Sequence, residues 1–398
     1  MRQIAVEGEV IAADAEDFQT RLADAQARLA RPMCLCRDPG LPLYIARAGG
    51  RLILKRMPGT GAKHDPACPS YEPPYELSGL SAVAGSAISE DFETGTTALK
   101  LDFSLTKSAG RAPPAPSSTA DKGEVRSDGT KLTLRALLHY LWDQAGFNRW
   151  RPGMAGKRNW AVIRKFLLEA AEGKTSKGKA LPDILYVPEM FRSEREAEIA
   201  QRRASFTARA MAATGKGRPL LLVVGEVKEI APARSGHRLM IKHAPKFPFL
   251  LNEDIHRRLG VVFASELSLW NANPDTHLVA IATFGLDHAG VATVEAVALM
   301  VVTENWIPFE STNEATLIDA LTRRQISFLK GLRYNLSMSQ PLASVVLHED
   351  TPTPLAMFIV PNAADAAYRM TLDALIETSA IPAWIWSPGD EPMPALPA

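Results

Sequence analysis

The sequence predicts an α+β protein of several domains. Three observations carry this prediction: three cysteines and a histidine lie within 35 residues near the N-terminus, basic residues concentrate in one helical segment, and strand and helix patterns alternate through the rest of the chain. A chain of 398 residues is long enough for about two to four domains, each with a core of its own.

The charge balance and the apolar runs exclude several classes of protein. Lys and Arg number 45 and Asp and Glu number 44, so a net charge of +1 excludes a uniformly basic nucleic-acid coat and an acidic tail protein. The apolar runs at 220–224 and 297–302 are far shorter than the ~20 residues that a membrane helix needs. The N-terminus reaches acidic residues too early for the apolar core of a signal peptide. We therefore expect no membrane partner and a cytoplasmic location.

The first predicted domain, residues 1–106, is rich in β structure. The segment 41–57 alternates apolar and polar residues on both sides of Gly49 and Gly50, which predicts a hairpin because glycine accepts the positive φ of a tight turn. A further β pattern follows at 82–105. This domain therefore contains at least one hairpin between its cysteine-containing segments.

The cysteines and one histidine have the spacing of a metal site. Cys34 and Cys36 form a Cys-x-Cys pair, and after 27 residues His64 and Cys68 form a second pair. Three thiolates and one imidazole satisfy tetrahedral zinc, and the hairpin between the pairs returns the chain to where it started. Because all four positions are filled by protein, we predict a structural Zn²⁺ site within a module at 31–75 rather than a catalytic one. The alternative is three buried free cysteines beside a surface histidine.

A linker and a helical domain follow. Residues 107–130 are dominated by Pro, Ser, Ala and Gly, which predicts a flexible linker with nothing to pack. Residues 131–213 form the next predicted domain, in which apolar residues recur at helical spacing over 134–141 and 160–168. A charged helix is predicted at 193–213. The linker is the clearest predicted domain boundary.

Positive charge concentrates in this helical domain. Nine basic residues and two acidic ones lie between Arg149 and Lys179, so the local net charge is +7. Cations interleaved with Trp150 and Trp160 suit the phosphates of DNA or RNA, and two helices joined by a turn suit a helix-turn-helix-like reader. The alternative is a solvated helix face whose tryptophans belong to the core. The candidate nucleic-acid contacts are Arg149, Arg151, Lys157, Arg158, Arg164 and Lys165.

A second set of residues has the letters of a magnesium-dependent nuclease. Asp183 follows a proline, and Glu226 and Lys228 form a Glu-x-Lys pair, which together could bind Mg²⁺ and polarise a water molecule. Forty-two residues separate Asp183 from Glu226, whereas such motif halves normally lie on neighbouring strands. The three residues are therefore weak catalytic candidates, and Mg²⁺ is expected only if the protein is a nuclease.

The last two predicted domains are a strand-rich one at 214–310 and an α/β unit at 311–390. The second of these resembles a restriction-endonuclease-like fold of the PD-(D/E)xK type in its order helix, strand, strand, helix. Glu314 occupies a helix position where such enzymes keep an acid, but neither predicted strand carries the carboxylates that a magnesium site needs. The resemblance therefore implies a degenerate nuclease fold.

Most of the chain, roughly residues 30–390, resembles an uncharacterised bacterial family, a domain of unknown function typical of plasmids and integrative elements. The resemblance rests on CLC…GGRLILKRMPGTGAKHDPACPSYEPP, on LLHYLWDQAGFNRWRPGMAGKRNW and on ENWIPFES. The metal module resembles SWIM-type zinc fingers, which also begin with Cys-x-Cys, although here the histidine precedes the last cysteine by four positions. The resemblance implies a mobile-element setting and no particular chemistry.

These observations favour one function over two others. The favoured interpretation is a zinc-containing nucleic-acid-binding protein of a mobile genetic element, with a small zinc-stapled β module, a basic helical domain, a strand-rich middle and a C-terminal restriction-endonuclease-like unit. The alternatives are a magnesium-dependent nuclease and a protein-interaction scaffold. The remaining histidines are scattered, and no nucleophile set can be placed by spacing, so an enzyme is the less favoured class.

Overall fold

The computed structural model describes residues 3–107, 129–211, 217–349, 353–389 and 391–397. The linker predicted at 107–130 lies, apart from its two ends, outside the described residues. The end of the charged helix predicted at 193–213 lies outside them as well.

The described residues form a mixed α+β structure, as predicted. The helices are α1 (Phe18–Ala27), α2 (Leu134–Gln144), α3 (Trp160–Ala171), α4 (Leu181–Ile184), α5 (Glu196–Thr207), α6 (Glu253–Val262), α7 (Ala264–Ala272), α8 (Thr312–Arg323) and α9 (Ala366–Ser379). None of these helices has the length and the apolar composition that a membrane span requires.

The strands form several sheets. They are β1 (Gln3–Val6), β2 (Glu9–Ala12), β3 (Met33–Cys34), β4 (Leu41–Ala48), β5 (Arg51–Arg56), β6 (Ile88–Asp91), β7 (Thr96–Leu99), β8 (Thr106–Lys107), β9 (Arg149–Trp150), β10 (Lys174–Ser176), β11 (Lys179–Ala180), β12 (Leu185–Tyr186), β13 (Arg218–Pro219), β14 (Leu221–Pro232), β15 (His237–Ile241), β16 (Phe249–Leu251), β17 (His277–Leu286), β18 (Ala292–Val302), β19 (Phe328–Lys330), β20 (Val345–Leu347), β21 (Leu355–Ile359) and β22 (Ala383–Trp386).

The N-terminal sheet has the strand order β2-β1-β3-β4-β5. The predicted hairpin is confirmed: β4 and β5 pair in antiparallel register, with Ala48 opposite Arg51. Gly49 and Gly50 both have positive φ, at 60° and 71°, which a two-residue hairpin loop of this kind requires. Helix α1 packs Leu22 against this sheet, and both Leu22 and Ile4 are fully buried.

The central sheet closes on itself. Its order is β12-β14-β15-β16-β18-β17, and β14 also pairs with β17. Five strands, β14 to β18, therefore form a ring in which β16 and β18 are parallel and the other neighbours are antiparallel. Helices α6 and α7 connect β16 to β17. The result is a small Greek-key barrel, with inward side chains such as Leu239 and Val301 fully buried.

The C-terminal sheet has the order β22-β21-β20-β19-β9. Helix α8 precedes three antiparallel strands, and α9 then leads to β22, which is parallel to β21. Helix α8 ends at Arg323, and the following Phe328–Lys330 segment pairs with both β20 and β9. The backbone of residues 328–330 therefore forms its hydrogen bonds with neighbouring strands rather than within a helix.

Strands and core cross the predicted domain boundaries. β10 pairs with β7, and β9 is an edge strand of the C-terminal sheet. One core cluster runs from Val83 to Leu396 and includes Trp142 and Phe328. The division at 106, 130, 213 and 310 stays a prediction, but the described parts of these units share sheets and a core.

Candidate metal centre and nucleic-acid interface

The three cysteines and His64 come together in space. One ligand atom of each of the four residues lies within 4.8 Å of the others. The Cys34 and Cys68 Sγ atoms are 3.6 Å apart, and the His64 Nδ1 atom is 3.2 Å from the Cys36 Sγ atom and 3.8 Å from the Cys68 Sγ atom. Sulfur ligands at about 2.3 Å from one tetrahedral ion are themselves about 3.8 Å apart. The Cys3His cluster could therefore hold a metal ion.

Local structure explains why these four side chains converge. Strand β3 ends at Cys34, and a short 3₁₀ turn at Gly61–Lys63 precedes His64. The backbone N–H of Cys68 donates to the carbonyl of Asp65, so the second pair lies on a tight turn. The β4–β5 hairpin returns the chain between the two pairs, as the spacing predicts.

Burial and mutual hydrogen bonding make the thiols chemically unlike free cysteines. A hydrogen bond from Cys68 lowers the pKa of Cys34 to about 4, whereas the same contact and burial raise the pKa of Cys68. The N–H of Ser70 also donates to the Cys68 Sγ atom at 3.4 Å. The cluster thus stabilises one thiolate even without a metal, and a bound cation would stabilise all three.

The metal module contacts the C-terminal sheet. The His348 Nδ1 atom lies 2.8 Å from the carbonyl oxygen of Pro66, and the rings of Tyr71 and His348 lie 5.1 Å apart. Gly79 lies so close to the backbone of Arg333 that a Cβ atom would come within 1.9 Å of its carbonyl oxygen. The segment after the metal ligands is therefore fixed on the C-terminal unit, a contact that the sequence did not predict.

Several of the predicted nucleic-acid contacts are instead part of the fold. Burial lowers the pKa of Arg158 to about 10, and its guanidinium donates to the backbone carbonyls of Phe147, Asn305, Gly146 and Arg149. The carbonyls of Gly146, Phe147 and Asn305 lie in loops, and that of Arg149 lies on the short edge strand β9. The Arg158 guanidinium therefore connects these segments to one another, and few of its N–H groups remain to donate to a phosphate.

The side chains of Arg149 and Arg151 also belong to the fold rather than to an open surface. Arg149 lies on β9, and burial lowers its pKa. The Arg151 Nε atom donates to Glu349 at 2.7 Å. Trp150 and Trp160 are 1% and 2% exposed, so both belong to the core rather than to a stacking surface.

Three of the predicted nucleic-acid contacts, Lys157, Arg164 and Lys165, have charged groups that solvent can reach. Lys157 is exposed, and the Lys165 side chain is 66% exposed with a distant ion pair to Glu169 at 3.9 Å. Arg164 lines a depression of about 250 Å³ together with Arg192 and Arg195. The last two arginines were not predicted as contacts, because their helix looks evenly charged in sequence.

Replacing Arg158 is expected to destabilise the fold rather than to weaken nucleic-acid binding. Arg158→Ala leaves four backbone carbonyls without their charged donor, so the free energy of unfolding should fall by about 2–3 kcal/mol. Urea denaturation measures this change. The neighbouring exposed Lys157→Ala is the control and should change stability little, and equal stability of Arg158→Ala and the wild type would contradict the assignment.

The structure does not bring the three nuclease candidates together. Leu185, two residues after Asp183, pairs with Leu222, which is four residues and thus about 13 Å along the strand from Glu226. Asp183 is exposed and lies 3.5 Å from Arg209, and Lys228 is exposed too. No two carboxylates of this set share a position where Mg²⁺ could bridge them.

Glu226 has different partners. Its buried carboxylate lies 2.9 Å from the Lys242 Nζ atom and 2.7 Å from the His277 Nδ1 atom. Burial alone raises the pKa of Glu226, but the hydrogen bonds from His277 and Lys242 bring it below its usual value. The residue therefore acts as the centre of a structural ion-pair group at the start of β17.

Fold and cluster together define an α+β protein with several sheets, a closed barrel and a Cys3His site. The chain belongs to the family described as protein of unknown function DUF1173, whose model matches residues 4–389. No curated protein matches the chain, and no solved structure does. The prediction of an uncharacterised family is confirmed.

Proposed function

We propose that this protein binds DNA or RNA through a cationic depression and is held together by a structural zinc ion in its Cys3His cluster. The single observation that carries the nucleic-acid part is the grouping of Arg164, Arg192 and Arg195 around one depression of about 250 Å³. Three guanidinium groups around a concave surface suit phosphate oxygens, because each can donate two parallel hydrogen bonds.

Two acidic residues, Glu189 and Glu198, lie beside the arginines of the depression. Glu189 accepts from the Arg202 Nε and Nη2 atoms at 2.7 and 2.9 Å. This hydrogen bonding lowers the pKa of Glu189, so the carboxylate stays ionised but is matched by its own arginine. Two of the three arginines also have partners within the protein: the Arg195 Nε and Nη2 atoms donate to the Glu198 carboxylate at 3.1 Å, and the Arg164 Nε atom donates to the carbonyl of Val187 at 3.1 Å. Arg192 and the remaining N–H groups of Arg164 and Arg195 are the donors offered to a ligand.

The barrel supports the proposal by analogy. Five-stranded Greek-key barrels of the OB type bind oligonucleotides, and β14 to β18 have such a closed arrangement. Helix α5 also contacts the β15–β16 connection, since Lys246 lies 2.5 Å from Glu196. The depression is thus built beside the barrel. An architecture alone does not determine a function, so this argument is secondary to the charge arrangement.

Zinc is the metal that the donor set favours. Thiolate and imidazole ligands in a closed tetrahedral set are typical of structural zinc sites. The C-terminal unit is proposed to be a nuclease-like fold without its acids, because β20 and β21 carry no carboxylate. The mobile-element setting rests on sequence resemblance alone.

Binding of labelled single- and double-stranded DNA and RNA to the full-length protein, measured over a range of salt concentrations, tests the proposal. We expect affinity to fall steeply with salt, and Arg192→Glu/Arg195→Glu to weaken binding at least 10-fold and to reduce the salt slope by about 1 per lost phosphate contact. The comparison among the four nucleic acids ranks the preferred ligand.

The matched control is Arg28→Glu/Arg323→Glu. It makes the same change in charge at two arginines that are 61% and 79% exposed, one just after α1 and the other at the end of α8. It should retain most of the affinity. Equal losses in both double variants would mean that only net charge matters, and absence of binding at low salt would favour the protein-interaction scaffold.

A further inference from the structure

We propose that a cavity at the corner between α6 and α7 binds a small amphipathic amine, with the apolar body of the ligand against α6 and β18 and its ammonium group at Glu266. The cavity has a volume of about 410 Å³, which lies within the ~300–1,000 Å³ of typical small-molecule sites. The proposal does not depend on nucleic-acid binding, because the cavity shares no lining residue with the cationic depression.

The cavity forms where two helices meet at an angle. Helix α6 ends at Val262 and α7 begins at Ala264, so Phe263 alone connects them, with a non-helical φ of −112° and ψ of 29°. Helices α2, α6 and α7 all pack on β18. The corner and the start of α2 therefore enclose a space over β18, where the small side chains of Ala296 and Ala298 fill little of it.

Most of the cavity lining is apolar. Leu134, Leu259 and Phe263 line it from buried positions. Two other lining residues are large apolar side chains left open to solvent, Val261 at 61% and Met338 at 50% exposure. An apolar ligand gains free energy by removing such surface from water, which explains the apolar body of the proposed ligand.

The polar part of the lining favours a cationic head group. Acidic residues outnumber basic ones there: the acids are Asp102, Glu266, Glu295 and Glu310, and the bases are Arg135 and Arg258. Two of these acids already have cationic partners, because Glu295 pairs with Lys107 at 2.6 Å and Glu310 pairs with Arg333 at 2.7 Å. Glu266 differs from both.

The Glu266 carboxylate makes no ion pair within the part of the chain that the structure describes. Burial raises the pKa of Glu266, and neither its own backbone N–H nor the charge of Arg135 offsets this shift. The Arg135 guanidinium donates instead to the carbonyls of Tyr334 and Leu336, both at 3.3 Å. An ammonium group in the cavity would supply Glu266 with a cation through a charge-assisted hydrogen bond.

Calorimetric titration of the full-length protein with octylamine, octanoate and 1-octanol tests the proposal, because the three probes share one alkyl chain and differ in the head group. We expect one octylamine to bind per chain, at least 10-fold more tightly than octanoate or octanol. Glu266→Gln should remove this preference and leave the affinity for octanol unchanged. The matched control is Glu253→Gln, which neutralises a 75% exposed acid of α6 outside the lining and should keep the preference.

A second pair of variants tests the location of the site. Ala264→Trp adds a large ring at an exposed lining position, and it should weaken the binding of octylamine at least 10-fold. Ser268→Trp makes a similar addition at an exposed position of α7 outside the lining, and it should leave binding unchanged. Circular dichroism of each variant establishes that it remains folded.

Three results would overturn the proposal. They are the absence of octylamine binding to the wild type, an octylamine preference that survives Glu266→Gln, and octylamine binding that is unaffected by Ala264→Trp. Octanoate binding as tight as octylamine binding would contradict the assignment of a cationic head group.

Discussion

Cys68→Ser is expected to lose the bound zinc and to destabilise the protein more than an ordinary core substitution does. Structural zinc contributes apparent binding free energies of about 10–16 kcal/mol in small zinc-finger peptides, and this energy is available only to the folded state. The full effect here is smaller, because the described parts of the module also pack on the rest of the chain. We expect the free energy of unfolding to fall by more than the ~2–5 kcal/mol of a large-to-small core change.

The size of this effect follows from what surrounds the ligands. The apolar cluster around the site is small: its buried members are Cys34, Leu43 and Cys68, so the ligands themselves form most of it. Without the metal, the two segments are held by the β3–β4 pairing and by contacts with the C-terminal sheet. Thermal or urea unfolding, read together with zinc content, measures the change.

Leu43→Ala is the control for this experiment. Leu43 is fully buried beside the ligands, so its truncation should cost about 2–5 kcal/mol while one equivalent of zinc is retained. This variant separates loss of packing from loss of metal. A Cys68→Ser protein that is as stable as the wild type would show that the cluster does not hold a structural ion.

Lys330→Ala is expected to cost about 3–5 kcal/mol of unfolding free energy. The Lys330 Nζ atom lies 2.9 Å from the Glu314 Oε1 atom, and the two side chains are 2% and 7% exposed. Removing the lysine leaves a buried carboxylate without its cation, which is more costly than losing an exposed ion pair. The Glu314 carboxylate cannot rotate toward solvent, because its Oε2 atom accepts a hydrogen bond from the N–H of Glu310 at 2.7 Å.

A double variant distinguishes the buried charge from general loss of packing. Glu314→Gln/Lys330→Met replaces both charges by neutral groups of similar size, and it should recover most of the stability lost in Lys330→Ala. Urea denaturation of the single and double variants completes the test. If the double variant is as unstable as Lys330→Ala, side-chain packing rather than the ion pair explains the loss.

Local patterns in the sequence predicted the elements that depend on short-range physics. The hairpin around Gly49 and Gly50 forms because positive φ and alternating burial agree. The Cys3His ligands meet because a hairpin separates their two pairs. The strands β14, β17 and β18 form where continuous apolar runs predict buried strands.

Features that depend on distant packing could not be predicted in this way. In the sequence, the charge of Arg158 contributes to a basic segment. In the fold, its guanidinium instead donates hydrogen bonds to four backbone carbonyls. Arg192 and Arg195 look balanced by nearby acids, and Arg195 does pair with Glu198, but the fold also places both arginines at one depression with Arg164.

The central claim is that a metal ion in the Cys3His cluster holds the N-terminal module in its folded position. Native mass spectrometry of the full-length protein, purified from buffers without added metal, tests it most directly. The claim predicts the mass of one tightly bound zinc ion per chain and its loss in Cys68→Ser. A folded wild-type protein with less than half an equivalent of zinc would contradict it.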